Sequence, residues 1–267
     1  MNDPQVPDPP DQQPAARQRL LEPSGVDEGP ASDEPPRHRW GFGAFLLVEA
    51  VFLLASVFVV IPFRPPGANG ALSPIGIVVA LVVPTVLAAV VALVITRVRG
   101  DGPIRDLRIR FSWPDIRLGL ALGVIGLVPT LITARLWAWW VGDDNANSAV
   151  GSLLDGVRLP PALAALVFLH IWLIAPICEE IVYRGLLWGA MERLRWSRWS
   201  AFVLSTAIFT VGHLEPSRTP LLLVVAVPIG LARLLTGRLP ASVIAHQVNN
   251  FLPALGVLLM VSGVMPA

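Results

Sequence analysis

Residues 75–96 read IGIVVALVVPTVLAAVVALVIT, a run of 22 residues without a charged side chain. An α-helix needs about 20 predominantly apolar residues to cross the hydrocarbon core of a bilayer. Pro84 lies inside this run, and membrane helices tolerate an internal proline better than soluble helices do. The run therefore predicts a transmembrane helix.

Six further apolar runs have similar character, at about 42–62, 117–140, 161–190, 199–214, 219–235 and 241–262. The stretch at 103–116 is mixed and short, and we interpret it as an interfacial or loop segment. Together the runs predict an all-α, polytopic membrane helix bundle with seven transmembrane helices. An eighth, poorly marked helix stays open.

The composition of the 267-residue chain excludes a soluble enzyme, because 54% of its residues are hydrophobic and only 15% are charged. Ordinary soluble domains carry about 25% charged residues. All 20 basic residues are Arg, none of them forms a basic face suited to nucleic acid, and the abundance of Arg and Pro favours a bacterial source. Cys178 is the single cysteine, so an intrachain disulfide and a cysteine-based metal site are both excluded.

The chain divides into three regions. Residues 1–39 contain nine prolines and eight acidic residues, a composition that predicts a disordered cytoplasmic tail. Residues 40–158 contain the first three predicted transmembrane helices, and residues 159–267 contain the remaining ones.

Arginine residues are concentrated in alternate connections, which predicts the orientation of the bundle. The connection 97–117 carries six arginines, the connection after the fourth run carries three, and the turn 236–240 carries one. The intervening connections carry one arginine each: Arg64, Arg158 and Arg218. The positive-inside rule therefore predicts a plasma-membrane protein with a cytoplasmic N-terminus and a C-terminus outside.

Six polar residues within the apolar runs are candidates for function, because ionisable groups inside hydrocarbon are costly. They are Glu179, Glu180, Arg184, His213, His246 and Asn250. Counting from the flanking arginines at about 1.5 Å per residue, Glu179 and His213 lie about 21–23 Å from the arginine-rich interface. His246 and Asn250 lie about 12–18 Å from it on the same arithmetic. Three predicted helices thus bring polar groups to comparable depth, which indicates a site.

Helical spacing separates the roles of the two glutamates. Glu180 and Arg184 are four residues apart, with the acid on the N-terminal side, as in a favourable helical ion pair. Glu179 points about 100° away and is the freer carboxylate. His246 and Asn250 are also four residues apart and project from one helix face.

These residues form three motifs, EExxxR at 179–184, FxxxH at 209–213 and HxxxN at 246–250. The three motifs, each on its own predicted helix, resemble those of the CPBP intramembrane peptidases. This group is also called the CAAX protease and bacteriocin-processing family, or the Abi family, and includes the Rce1-type prenyl-protein proteases. The resemblance covers about residues 160–255, and makes 159–267 the expected catalytic region.

The resemblance implies an intramembrane endopeptidase in which Glu179 and His213 activate a water molecule. His246 and Asn250 would stabilise the oxyanion, and Glu180 and Arg184 would hold the helix and Glu179 in place. It also implies a site that opens towards the cytoplasm. The expected partners are the lipid bilayer and a peptide or membrane-protein substrate, with no cofactor.

Three alternatives stay open. Glu179, His213 and His246 would bind Zn²⁺ if they converge, as in a zinc-dependent membrane metalloprotease. The chain would otherwise be a non-catalytic immunity or scaffold protein, or a transporter, although clustered polar residues argue against a relay across the membrane.

Three other polar residues are left outside the predicted site. His170 lies nine residues before Glu179, about 180° round a regular helix, and is predicted to face away from the site. Glu49 either packs between helices or borders the cavity. Cys178 is interpreted as a small apolar filler.

Overall fold

A computed structural model of the chain describes residues 38–64, 72–142 and 146–265. The predicted tail lies, up to residue 37, outside the described residues. Over the described ranges the regular structure is helical, without a strand. The prediction of an all-α membrane bundle is therefore confirmed.

Seven long helices follow one another in the described part of the chain. They are α1 (Phe42–Phe58), α2 (Pro74–Arg99), α3 (Trp113–Val141), α4 (Pro161–Arg193), α5 (Arg198–Gly212), α6 (Thr219–Thr236) and α7 (Leu239–Val261). Short helical segments lie in the connections, at Ile61–Phe63, Pro103–Asp106, Ala149–Leu154 and Pro216–Arg218.

Six of these helices are long and apolar enough to cross a membrane, counted over the described residues. The helix left out is α5, which has 15 residues and a length of about 22 Å. The hydrocarbon core is about 30 Å thick, so α5 alone does not cross it. The predicted count of seven complete spans is thus not confirmed.

Serine residues start several of the helices at their predicted boundaries. The hydroxyl of Ser73 accepts a hydrogen bond from the Gly76 amide at 3.1 Å, and Ser197 does the same for the Ser200 amide at 3.0 Å. Each bond satisfies one of the free N–H groups in the first turn. The helix α6 ends at Gly237, whose left-handed conformation (φ 66°) suits glycine.

A stripe of glycines on α3 brings its backbone into direct contact with α6 and α7. A Cβ at Gly119 would lie 2.6 Å from the carbonyl oxygen of Ala241, and a Cβ at Gly126 would lie 2.6 Å from Cγ of Pro228. A Cβ at Gly123 would lie 2.7 Å from Cβ of Val248. Small residues that permit such close approach are the usual basis of helix packing in membranes. The stripe therefore fixes α7, which carries the HxxxN motif, from its outer side.

The half of α4 that follows the EE pair is enclosed on all sides. Every residue from 180 to 191 is buried. Trp40 is fully buried and its indole N–H donates to the carbonyl oxygen of Leu186 at 3.3 Å. Leu107 is also fully buried and packs against Gly185, where a Cβ would lie 2.9 Å from its Cδ2. The bundle is thus closed at this end of α4.

We expect Gly123→Val to lower the melting temperature of the detergent-solubilised protein, because the new side chain overlaps Val248 on α7. Overpacking of this kind costs about 1–3 kcal/mol. Differential scanning fluorimetry measures the shift. Gly256→Ala on α7 is the matched control, since no atom lies within 4 Å of its added Cβ. Equal melting temperatures for the two variants would contradict the close packing of α3.

Candidate active site

The three motifs border a single cavity of 380 Å³. Glu179 reaches it from α4, His213 follows the last residue of α5, and His246 and Asn250 reach it from α7. Side chains of α1, α2 and α6 complete the wall. The structure thus brings all four residues that the sequence predicts as catalytic into contact with one space.

The two neighbouring glutamates have different surroundings. Glu180 is fully buried, and its Oε1 accepts a hydrogen bond from Nη1 of Arg184 at 2.9 Å. Arg184 is equally buried, and its guanidinium lies 4.5 Å above the ring of Phe209. The side chain of Glu179 remains 26% exposed and lines the cavity. Glu180 is therefore committed to Arg184, whereas Glu179 is open to a ligand.

His246 lies between the two glutamates. Its Nδ1 is 3.0 Å from Oε1 of Glu180, and its Nε2 is 3.6 Å from Oε2 of Glu179. A carboxylate oxygen only accepts, so Nδ1 carries a proton and donates it to Glu180. The imidazole edge that faces Glu179 and the cavity is therefore Nε2. The sequence did not predict this contact, since it paired Glu179 with His213.

His213 is oriented by its own helix. Its Nδ1 is 2.7 Å from the carbonyl oxygen of Phe209, one helical turn earlier. Because a carbonyl oxygen only accepts, Nδ1 carries the proton, and Nε2 of neutral His213 holds a lone pair. The FxxxH spacing thus supplies both a tautomer and a ring position, with the two rings 4.6 Å apart.

Asn250 binds the backbone of α4 at an irregular turn. Residues His170–Ile174 form a π-helical turn, followed directly by Pro176 in the next α-helical segment. Pro176 has no N–H to donate to the carbonyl five residues earlier. That carbonyl belongs to Ile171, and it accepts a hydrogen bond from Nδ2 of Asn250 at 3.1 Å. The bond ties α7 to α4 and leaves the second amide proton of Asn250 available.

The same π-helical turn overturns the prediction for His170. His170 lines the cavity together with Glu179 and does not face away from it. A π-turn holds more residues than an α-turn, so the angle between successive side chains is smaller. The count of nine residues at 100° each therefore places His170 on the wrong side of α4.

Glu49 on α1 also borders the cavity. Its carboxylate interacts with the hydroxyl of Tyr183 and lies within electrostatic range of Glu179 and His213. The Tyr183 hydroxyl approaches α5 at Gly212, where a Cβ would lie only 2.7 Å from it. The sequence left the position of Glu49 open, and the structure places it in the cavity wall.

Cys178 is buried beside the glutamates, and its side chain lines the cavity. Across the described residues, no group of three or more His, Cys, Asp or Glu side chains has the arrangement of a metal site.

We expect Arg184→Met to destabilise the protein strongly, because it leaves the Glu180 carboxylate buried with His246 as its single remaining partner. Breaking a buried ion pair costs about 3–5 kcal/mol. The double variant Glu180→Gln/Arg184→Met removes both charges and should recover a large part of the lost stability. Thermal unfolding of the three proteins in detergent measures this. A double variant less stable than Arg184→Met would contradict the pairing.

One protein family matches the region that contains these motifs. The model of the family described as Rce1-like, type II CAAX prenyl endopeptidase, matches residues 161–252, from the start of α4 into α7. No curated protein and no solved structure matches the chain. The matched third of the chain contains all three motifs and every residue of the candidate site on α4, α5 and α7. The C-terminal region of this membrane protein is therefore Rce1-like and of the CPBP type, as its motifs predict.

Proposed function

We propose that the protein is an intramembrane endopeptidase that hydrolyses peptide bonds with a water molecule activated by Glu179 and His213. One observation carries the proposal. The partly exposed carboxylate of Glu179 faces the imidazole of His246 in a cavity, directly beside the buried pair of Glu180 and Arg184. The Rce1-like match supports a protease acting on a peptide within the membrane.

In the first step, water in the cavity attacks the carbonyl carbon of the scissile peptide bond. Glu179 and Nε2 of His213 are the acceptors for the proton that water loses. Positioned general bases of this kind contribute about 10²–10⁴-fold to a rate. A new C–O bond forms, and the carbonyl oxygen becomes an oxyanion.

His246 and Asn250 are suited to stabilise that oxyanion. The carboxylate of Glu180 at Nδ1 favours the protonated imidazole, which places an N–H at Nε2 on the cavity side. Asn250 contributes its free amide proton from the same face of α7. Donors fixed in position before the reaction are effective because they need no reorganisation as the charge develops.

In the second step, the C–N bond breaks and the nitrogen of the leaving amine takes up the proton held by Glu179 or His213. The products are a carboxylate and an amine, and the enzyme returns to its initial state. No covalent intermediate is needed. Glu180 and Arg184 act only by positioning His246 and Glu179.

We place this enzyme in the plasma membrane of a bacterium, with the N-terminus in the cytoplasm. The arginine distribution supports this orientation. The substrate is a peptide or a membrane protein, and the reaction requires no metal ion.

We expect Glu179→Gln to lower the rate of peptide cleavage by about 10²–10⁴-fold, because the amide cannot accept the proton from water. Cleavage of a quenched fluorescent peptide library by the purified protein measures this, with and without a chelator. Glu192→Gln is the matched control at the far end of α4, where Glu192 contacts Trp188 and Arg108. Full activity of Glu179→Gln would refute the proposal, and chelator-sensitive activity restored by Zn²⁺ would assign the same residues to a metalloprotease.

We expect His246→Gln to lower kcat by about 10²–10³-fold, the usual effect of losing one oxyanion donor. His170→Gln is the matched control, because His170 also lines the cavity but has no role in the proposed steps. The ratio of the two kcat values on one library peptide measures the difference. Equal losses in both variants would indicate a general disturbance of the cavity wall and contradict the role of His246.

A further inference from the structure

The two ends of the bundle differ in charge. The arginine-rich end comprises the connections α2–α3, α4–α5 and α6–α7. The arginine-poor end comprises the connections α1–α2, α3–α4 and α5–α6, with Arg64, Arg158 and Arg218. Of these three, Arg218 forms an ion pair with Glu215 in its own connection.

The cavity extends to the arginine-poor end. Its wall includes Ala149 and Val150 from the short helix between α3 and α4, and Leu214 and Glu215 from the connection between α5 and α6. Leu214 is 67% exposed. None of the residues that line the cavity belongs to the arginine-rich end.

The other end of the cavity is closed. Beyond Glu180 and Arg184, α4 is buried at every residue up to Met191. The fully buried side chains of Leu186, Leu187 and Trp188 occupy the space between the site and the arginine-rich surface. A peptide therefore has no path to Glu179 from that side.

The shortness of α5 explains why the opening lies there. The helix ends at Gly212, about 22 Å from its start at the arginine-rich end. The membrane core is about 30 Å thick, so the connection after α5 begins below the opposite surface. His213 thus lies at the bottom of a depression that is open at the arginine-poor end.

Since arginine-rich connections remain in the cytoplasm, we propose that the cavity opens to the extracytoplasmic side of the membrane. This inference rests on the proposed function for its consequence. The substrate is then a peptide segment of a secreted or membrane protein presented at the outer surface, and not a cytoplasmic C-terminal tail. It reverses the cytoplasmic opening implied by the family resemblance.

Single-cysteine variants of the full chain test the orientation, in a Cys178→Ala background. Ser152→Cys and Ser217→Cys place a thiol at the arginine-poor end, and Ser200→Cys places one at the arginine-rich end, all at exposed positions. Intact cells are treated with a membrane-impermeant maleimide. We expect labelling of the first two variants in intact cells, and of Ser200→Cys only after permeabilisation. The opposite pattern would overturn the proposal.

A fourth variant tests the opening itself. Thr85→Cys places a thiol in the cavity wall on α2, within reach of a small, charged methanethiosulfonate that enters through the opening. We expect modification of this thiol in intact cells. Modification only from the cytoplasmic side of inverted membrane vesicles would overturn the proposal. Labelling does not depend on catalysis, so an inactive protein with the expected labelling would refute the proposed hydrolysis and leave the orientation standing.

Discussion

A carboxylate buried among apolar helices is costly unless charged donors surround it, and Glu180 is in this position. Its Oε1 accepts hydrogen bonds from Arg184 on its own helix and from His246 on α7. These two bonds determine where α7 lies relative to α4 and which nitrogen of His246 faces the cavity. Phe209 on α5 joins the same cluster through the guanidinium of Arg184. The motifs of three helices are therefore held by one buried charge.

Departures from regular helix geometry place the remaining groups. The π-helical turn at His170–Ile174 and the proline that follows it free a backbone carbonyl for Asn250. The early end of α5 leaves His213 within the membrane thickness. The glycines of α3 press α7 towards the site from outside. Each feature weakens a helix locally, and each brings a polar group to the cavity.

The helices and the candidate residues were accessible to sequence reasoning because both depend on simple periodicities. Long apolar runs predicted the helices, and the spacing of four residues predicted the ion pair of Glu180 and Arg184, which the structure contains. The contact of His246 with Glu179 was not predictable, since it depends on the packing of α7 against α4. His170 was misplaced because a π-helical turn has no clear signal in a single sequence. The length of α5 was overestimated because the apolar run continues past the end of the helix, through Val211 and Leu214.

The central claim of this account is that water attacks the peptide carbonyl directly, while Glu179 acts as a base. A single turnover in ¹⁸O-labelled water, with enzyme in excess over a cleavable library peptide, tests the claim most directly. Mass spectrometry then locates the label in the new carboxylate of the product and in the enzyme peptide that contains Glu179. We expect one ¹⁸O atom in the product and none in the enzyme. Label in Glu179, with an unlabelled product, would show an acyl-enzyme intermediate and contradict the account.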